Sequence, residues 1–99
     1  MAVGDVVSGD SINLAANGYL DILPTGTLEW VIHNIYHNNT IQIEYYDGTN
    51  STIFDTDSGQ GCYARYSFHC SANTLFRIRV KNTSGTTANI AYDGVVTHT

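Results

Sequence analysis

Positive charge is what this chain has least of. Its 99 residues hold four Lys and Arg against nine Asp and Glu, a formal net charge of −5. A general nucleic-acid binder needs clustered Lys and Arg to neutralise phosphates, and docking on anionic lipid needs the same. The composition argues against both. Proline occurs once, and no apolar run approaches the roughly 20 residues of a membrane helix. Met1-Ala2-Val3-Gly4-Asp5 has neither a basic n-region nor an apolar h-region, so no secretory signal is read there. No segment carries a helical hydrophobic period. A Ser-His-Asp order, a Gly-rich phosphate loop and a metalloprotease motif are all missing. The expectation is a protein that is not an enzyme and uses no cofactor.

Cysteine is scarce too, with Cys62 and Cys70 the only pair. On one continuous strand their spacing amounts to roughly 26 Å, whereas a disulfide needs Cα atoms within about 7 Å. Two buried free thiols are expected, which fits synthesis in a reducing cytoplasm.

What the chain does have is short alternating segments separated by turn residues. Leu20 and Ile22 alternate in 19–23, and Ile41, Ile43 and Tyr45 in 40–46. Phe76, Ile78 and Val80 point inward from 74–82, opposite Leu75, Arg77, Arg79 and Lys81. The run 29–37 is the longest, with Trp30, Ile32, Asn34 and Tyr36 on one face and Val31, His33, Ile35 and His37 on the other. Both faces are partly apolar, so this strand is expected to be central or covered on both sides. Further strands are read at 11–15, 51–55, 62–70 and 88–96, the last interrupted at Asp93-Gly94. Asn17-Gly18, Asn38-Asn39, Asp47-Gly48, Ser71-Ala72-Asn73 and Ser84-Gly85 supply the turns.

About eight strands at roughly ten-residue spacing indicate an all-β fold, a single antiparallel sandwich with jelly-roll-like connectivity as one form. Residues 1–9 read as an N-terminal arm and 10–99 as the sandwich. Trp30, Ile32, Ile43, Phe68, Ile78, Val80 and Ile90 are the expected core. A chain of this length buries about 60–65% of its unfolded surface, enough for one modest core.

Several groups could carry function. Arg65, Arg77, Arg79 and Lys81 are every Lys and Arg in the chain. Three alternate along one strand, and Arg65 joins them if 62–70 pairs with 74–82. Such a face could dock an acidic partner, or pair with Glu44, Glu29 or a nearby Asp of its own domain. Asp55-Thr56-Asp57-Ser58-Gly59 resembles the start of a calcium loop, with Asp55 and Asp57 as the ligands. The third ligand position is Gly59, however, and no distal Glu follows; an acidic turn is the plainer reading. His33 and His37, about 13 Å apart on one strand face, would need other strands to chelate a metal. Seven Tyr could form a sugar-stacking platform, an interface or part of the core. The sequons at Asn38, Asn50 and Asn82 are better read as turn chemistry than as glycosylation sites.

Three stretches carry a resemblance: Glu29-Trp30-Val31-Ile32-His33-Asn34-Ile35, Tyr45-Tyr46-Asp47-Gly48-Thr49-Asn50, and Arg77-Ile78-Arg79-Val80-Lys81-Asn82-Thr83-Ser84-Gly85. Over roughly residues 18–96 the chain resembles small β-sandwich virion proteins of tailed bacteriophages, the head decoration (cement) proteins and head or tail fibre components. The resemblance is one of style and order and transfers no functional residue. It implies synthesis in the bacterial host cytoplasm, assembly into the virion and no catalysis. The partners implied are the major capsid protein or other virion proteins, with no nucleic acid and no membrane. Small domains gain stability by oligomerising, and a homotrimer is expected. A tail- or fibre-associated receptor- or carbohydrate-binding module is the alternative, and would show exposed aromatics in a groove with Asn, Asp and Gln nearby.

Overall fold

The computed structural model describes residues 1–72 and 74–99; the turn read at Ser71-Ala72-Asn73 falls partly outside them, at Asn73. Nine strands form two antiparallel sheets. In chain order they are β1 (Val6–Leu14), β2 (Tyr19–Ile22), β3 (Glu29–His37), β4 (Ile41–Tyr46), β5 (Ser51–Asp57), β6 (Gly61–Tyr63), β7 (Phe68–Ser71), β8 (Arg77–Asn82) and β9 (Ala88–His98). The first sheet runs β1-β9-β3-β6, with β7 also paired to β3; the second runs β2-β8-β4-β5. Strands β6 and β7 pair with opposite ends of β3, so they are one edge strand interrupted at residues 64–67. Counted that way, the sandwich has eight strands in jelly-roll connectivity.

Most connections cross from one sheet to the other. Asn17-Gly18 and Asn38-Asn39 therefore carry the chain between layers and close no hairpin; the hairpin is the one at Asp47-Gly48, between β4 and β5. There the Asp47 carboxylate accepts the N–H groups of Thr49 and Asn50, and Gly48 takes the positive φ the turn requires (95°). Of the segment read as an arm, Val6–Gly9 belong to β1, and Gly4 and Asp5 hydrogen-bond to Val96.

Strand β3 is organised differently from its sequence pattern. Its register against β9 slips between Ile32 and Asn34, a bulge at His33. One extra residue reverses the alternation beyond it. Ile32, Ile35 and His37 are buried, while His33 and Tyr36 are exposed. Apolar residues on both notional faces thus reflect this change of parity. Opposite the bulge lies Gly94, where a Cβ would come within 2.1 Å of the Val31 carbonyl oxygen and 2.8 Å of Ile32 Cα. Strand β9 runs unbroken through Asp93-Gly94 because glycine lets the two backbones approach. A second slip, against Ile43 and Glu44, leaves Phe54 as the extra residue of β5.

The core lies between the sheets: Ile22, Ile32, Ile35, Ile41, Ile43, Tyr63, Phe68, Cys70, Ile78, Val80, Ala88 and Ile90. Six of the seven expected core residues are buried. Trp30 is half-buried at its margin, tilted against Tyr92 with ring centroids 6.4 Å apart. A polar side chain is fully enclosed there as well. Asn82 donates to the carbonyls of Leu14 (2.9 Å) and Thr86 (2.6 Å), and its Oδ1 accepts from the Ser84 N–H and hydroxyl. It clasps the β1–β2 and β8–β9 connections together, and its burial removes it as a glycosylation acceptor in the folded protein.

Candidate functional site

The basic residues do not form one patch. Strands β6 and β7 pair with β3 and not with β8, so Arg65 lies away from the other three and binds Asp55 (3.1 Å). Arg77, Arg79 and Lys81 share the outer face of β8 as their spacing dictates, but they are largely occupied. Asp21 of β2 takes Arg77 at 3.1 Å and Arg79 at 2.9 Å. The Arg79 guanidinium lies between two rings, 4.5 Å from the Tyr46 centroid and 4.8 Å from that of Tyr19. Arg77 also covers Tyr46, and Lys81 covers Tyr19. Each such contact at an exposed site contributes about 0.5–1 kcal/mol. This face is an internally paired plateau, and Lys81 is its one cation without an ion-pair partner among the described residues.

The alternative calcium reading of Asp55 and Asp57 gains nothing from the geometry. Asp55 accepts from the Tyr63 hydroxyl (2.8 Å) and from Arg65, whereas Asp57 meets His37 Nε2 at 2.8 Å. The two carboxylates serve separate partners. Among the described residues no three His, Cys, Asp or Glu side chains gather to hold a metal. The Asp55 carboxyl is held below the usual range, first by the Tyr63 hydrogen bond and then by the Thr56 N–H. Tyr63 is pushed far up, by burial first and then by Asp55. His37 is enclosed. Its Nδ1 faces the carbonyls of Gly59 (2.8 Å) and Asn39 (2.9 Å), so the ring staples the loop after β5 to the end of β3. His33, turned outward by its bulge, meets Ser67 instead.

Two surfaces stand out among the described residues. The first is the rim where β5 and the broken β6–β7 strand form neighbouring sheet edges. Exposed there are Ile53 (57%), Phe54 (39%) and Tyr66 (58%); Phe54 and Tyr66 both lean on Phe68. The second is a groove of about 590 Å³ on the outer face of the first sheet. One residue from each of four strands forms its central row: Asp10 of β1, Ala91 of β9, Tyr36 of β3 and Cys62 of β6. Small Ala91 makes the floor, and Ile12, Asn38, Gln60 and Asn89 are among the other lining residues. The Tyr36 hydroxyl and the Asn34 amide both donate to Asp93 beside the groove. Cys62 is free but exposed, not buried as expected, because it pairs with outward-facing Tyr36 on β3; its thiol pKa is raised by partial burial and then by the charges of Asp93 and Asp57. Sequence reasoning missed the groove because its residues meet only through pairings between distant strands.

No protein-family model matches this chain, and no curated protein matches it either. Among solved structures it is similar to the Drosophila NLP core, described for pentamer formation and histone binding, at 10% identity and a TM-score of 0.52, covering 92% of this chain and 96% of that one. It is also similar to the Yersinia pseudotuberculosis-derived mitogen at 13% identity and a TM-score of 0.45, covering 95% and 87%. At these identities the likeness is one of fold: the chain is an all-β, two-sheet sandwich with jelly-roll-like connectivity.

Proposed function

We propose that this chain is a non-enzymatic structural protein of a tailed-phage virion, a decoration protein that docks on the head shell as a homotrimer. The observation that carries the proposal is the apolar rim of β5 and β6–β7. Three large apolar side chains stand exposed beside two open sheet edges. Aromatic side chains and open edges of this kind suit burial against another protein. The basic plateau supports docking less well than its sequence pattern did, because Asp21 already takes two of its three cations. The resemblance to small virion proteins supplies the setting.

The test is the copy number of this chain in purified particles, by quantitative mass spectrometry against the major shell protein. A decoration protein tracks the shell protein in near-stoichiometric ratio. A few copies per particle would place it at the tail instead, and absence from particles would overturn the proposal.

A further inference from the structure

From the outer groove of the first sheet we infer that the protein binds a neutral oligosaccharide across Tyr36 and Ala91. The first support is the state of the aromatic rings. The chain has eleven Phe, Trp and Tyr (three, one and seven). Eight of these rings pack against another ring: Trp30, Tyr45, Phe54, Tyr63, Tyr66, Phe68, Phe76 and Tyr92. Tyr19 and Tyr46 are covered by cations. Among the described residues only Tyr36 has neither kind of partner. It is 42% exposed, and it forms a wall of the groove. Its hydroxyl is tethered to Asp93 at 2.6 Å, so the ring is oriented before any ligand arrives. A fixed, uncovered ring beside a floor of one methyl group offers the flat apolar surface on which the C–H face of a pyranose can lie.

The second support is the polar lining. Asn38 and Asn89 commit their Oδ1 atoms to backbone N–H groups, which leaves the Nδ2 donors of both amides uncommitted. The Asp10 carboxylate and the Gln60 amide have no hydrogen-bond partner among the described residues. Planar amides and a carboxylate around an aromatic ring provide paired donors and acceptors for vicinal hydroxyls. The volume, about 590 Å³, falls within the roughly 300–1,000 Å³ usual for small-ligand sites.

Charge sets the class. All four Lys and Arg lie outside the lining, Asp10 lies within it, and the whole chain carries −5. Sialic acids, uronic acids and phosphorylated sugars are therefore disfavoured, and neutral hexoses and N-acetylhexosamines are favoured. The groove borders the rim at β6, which supplies Cys62, but none of the rim's exposed apolar side chains, Ile53, Phe54 and Tyr66, lines it.

The experiment is a titration of the ¹⁵N-labelled protein, followed by NMR, with lactose, maltose and N,N′-diacetylchitobiose, and with sialyllactose as the acidic control. At least one neutral disaccharide should shift the amides of Asp10, Asn38, Gln60, Cys62 and Ala91 saturably. Tyr36→Ala should weaken that binding at least tenfold, while Tyr36→Phe, which keeps the ring, should stay within a few fold. Ala91→Leu, which fills the floor and leaves the ring, should also weaken it tenfold or more. No saturable shift with any neutral probe, stronger binding of sialyllactose, or binding indifferent to both Tyr36→Ala and Ala91→Leu would overturn the inference. The same amides shifting with protein concentration alone would assign the groove to a second copy of this chain, and would overturn it too.

Discussion

Replacing Asn82 with Ala should be among the most damaging single changes in this protein, although the position reads as an ordinary turn asparagine. The side chain is fully buried and serves both neighbouring connections. Its removal leaves the Leu14 carbonyl without the 2.9 Å donor it has now, and the Ser84 N–H without its acceptor. Two stranded part-buried groups, in the lower half of the range of about 1–3 kcal/mol each, amount to about 2–4 kcal/mol. That is a large part of the total of about 5–15 kcal/mol expected of a domain. At about 4–8 °C per kcal/mol for a chain this small, Tm should fall by at least ~10 °C. Urea unfolding followed by the single Trp30 gives the free energy directly. Asn82→Asp should be no better at neutral pH, because the carboxylate would face two carbonyl oxygens. The exposed Asn50→Ala serves as control, within about 0.5 kcal/mol of wild type. An Asn82→Ala protein melting within about 2 °C of wild type would refute the clasp.

Gly94→Ala should destabilise by about 1–3 kcal/mol through overpacking, because its Cβ has no room against Val31 and Ile32. Gly61→Ala, with nothing within 4 Å, should be neutral; equal urea midpoints for the two would count against the close approach at the β3 bulge. The thiols should stay reduced and differ in reactivity. Exposed Cys62 should be alkylated in the native protein, while Cys70, buried and pushed up to about 11, should react only on unfolding; a two-dalton mass loss per chain without reductant would contradict both. The lowered Asp55 carboxyl stabilises the fold above the unfolded carboxylate range near pH ~3.9, and that contribution is lost as pH falls through its folded value. Asp55→Asn should therefore flatten the loss of stability below about pH 4, and an unchanged acid slope would show that the Tyr63–Asp55–Arg65 group is not what the acid breaks.

Regular strands were legible in the sequence. Ile41 and Ile43 on β4, and Ile78 and Val80 on β8, alternate without interruption, so period two alone placed them inside and placed Arg77, Arg79 and Lys81 outside. Legibility failed at the bulges. Nothing in the composition of β3 announces that His33 is an extra residue; the trace it leaves is apolar character on both notional faces, which an ordinary central strand would also show. Turn chemistry marked where the chain reverses but not which sheet receives it, so the layer crossing at Asn38-Asn39 read only as a turn, and the pairing that would have brought Arg65 beside β8 stayed open. Asn82 was hidden because a buried clasp and an exposed turn use the same residue. The groove was hidden most deeply, since its central row exists only after β1, β9, β3 and β6 have paired.

Particle occupancy of two matched variants tests the central claim most directly. In one, Ile53 and Tyr66 of the rim become Asp; in the other, Arg77 and Arg79 of the plateau become Glu. Each is purified, checked for an unchanged sandwich by NMR, and added to particles lacking this chain. If the rim docks, the first variant loses shell occupancy at least tenfold, while the second binds near wild-type level with slightly lower thermal stability. Full occupancy by the rim variant, together with loss of binding and of its salt sensitivity in the plateau variant, would contradict the account and return the docking face to β8.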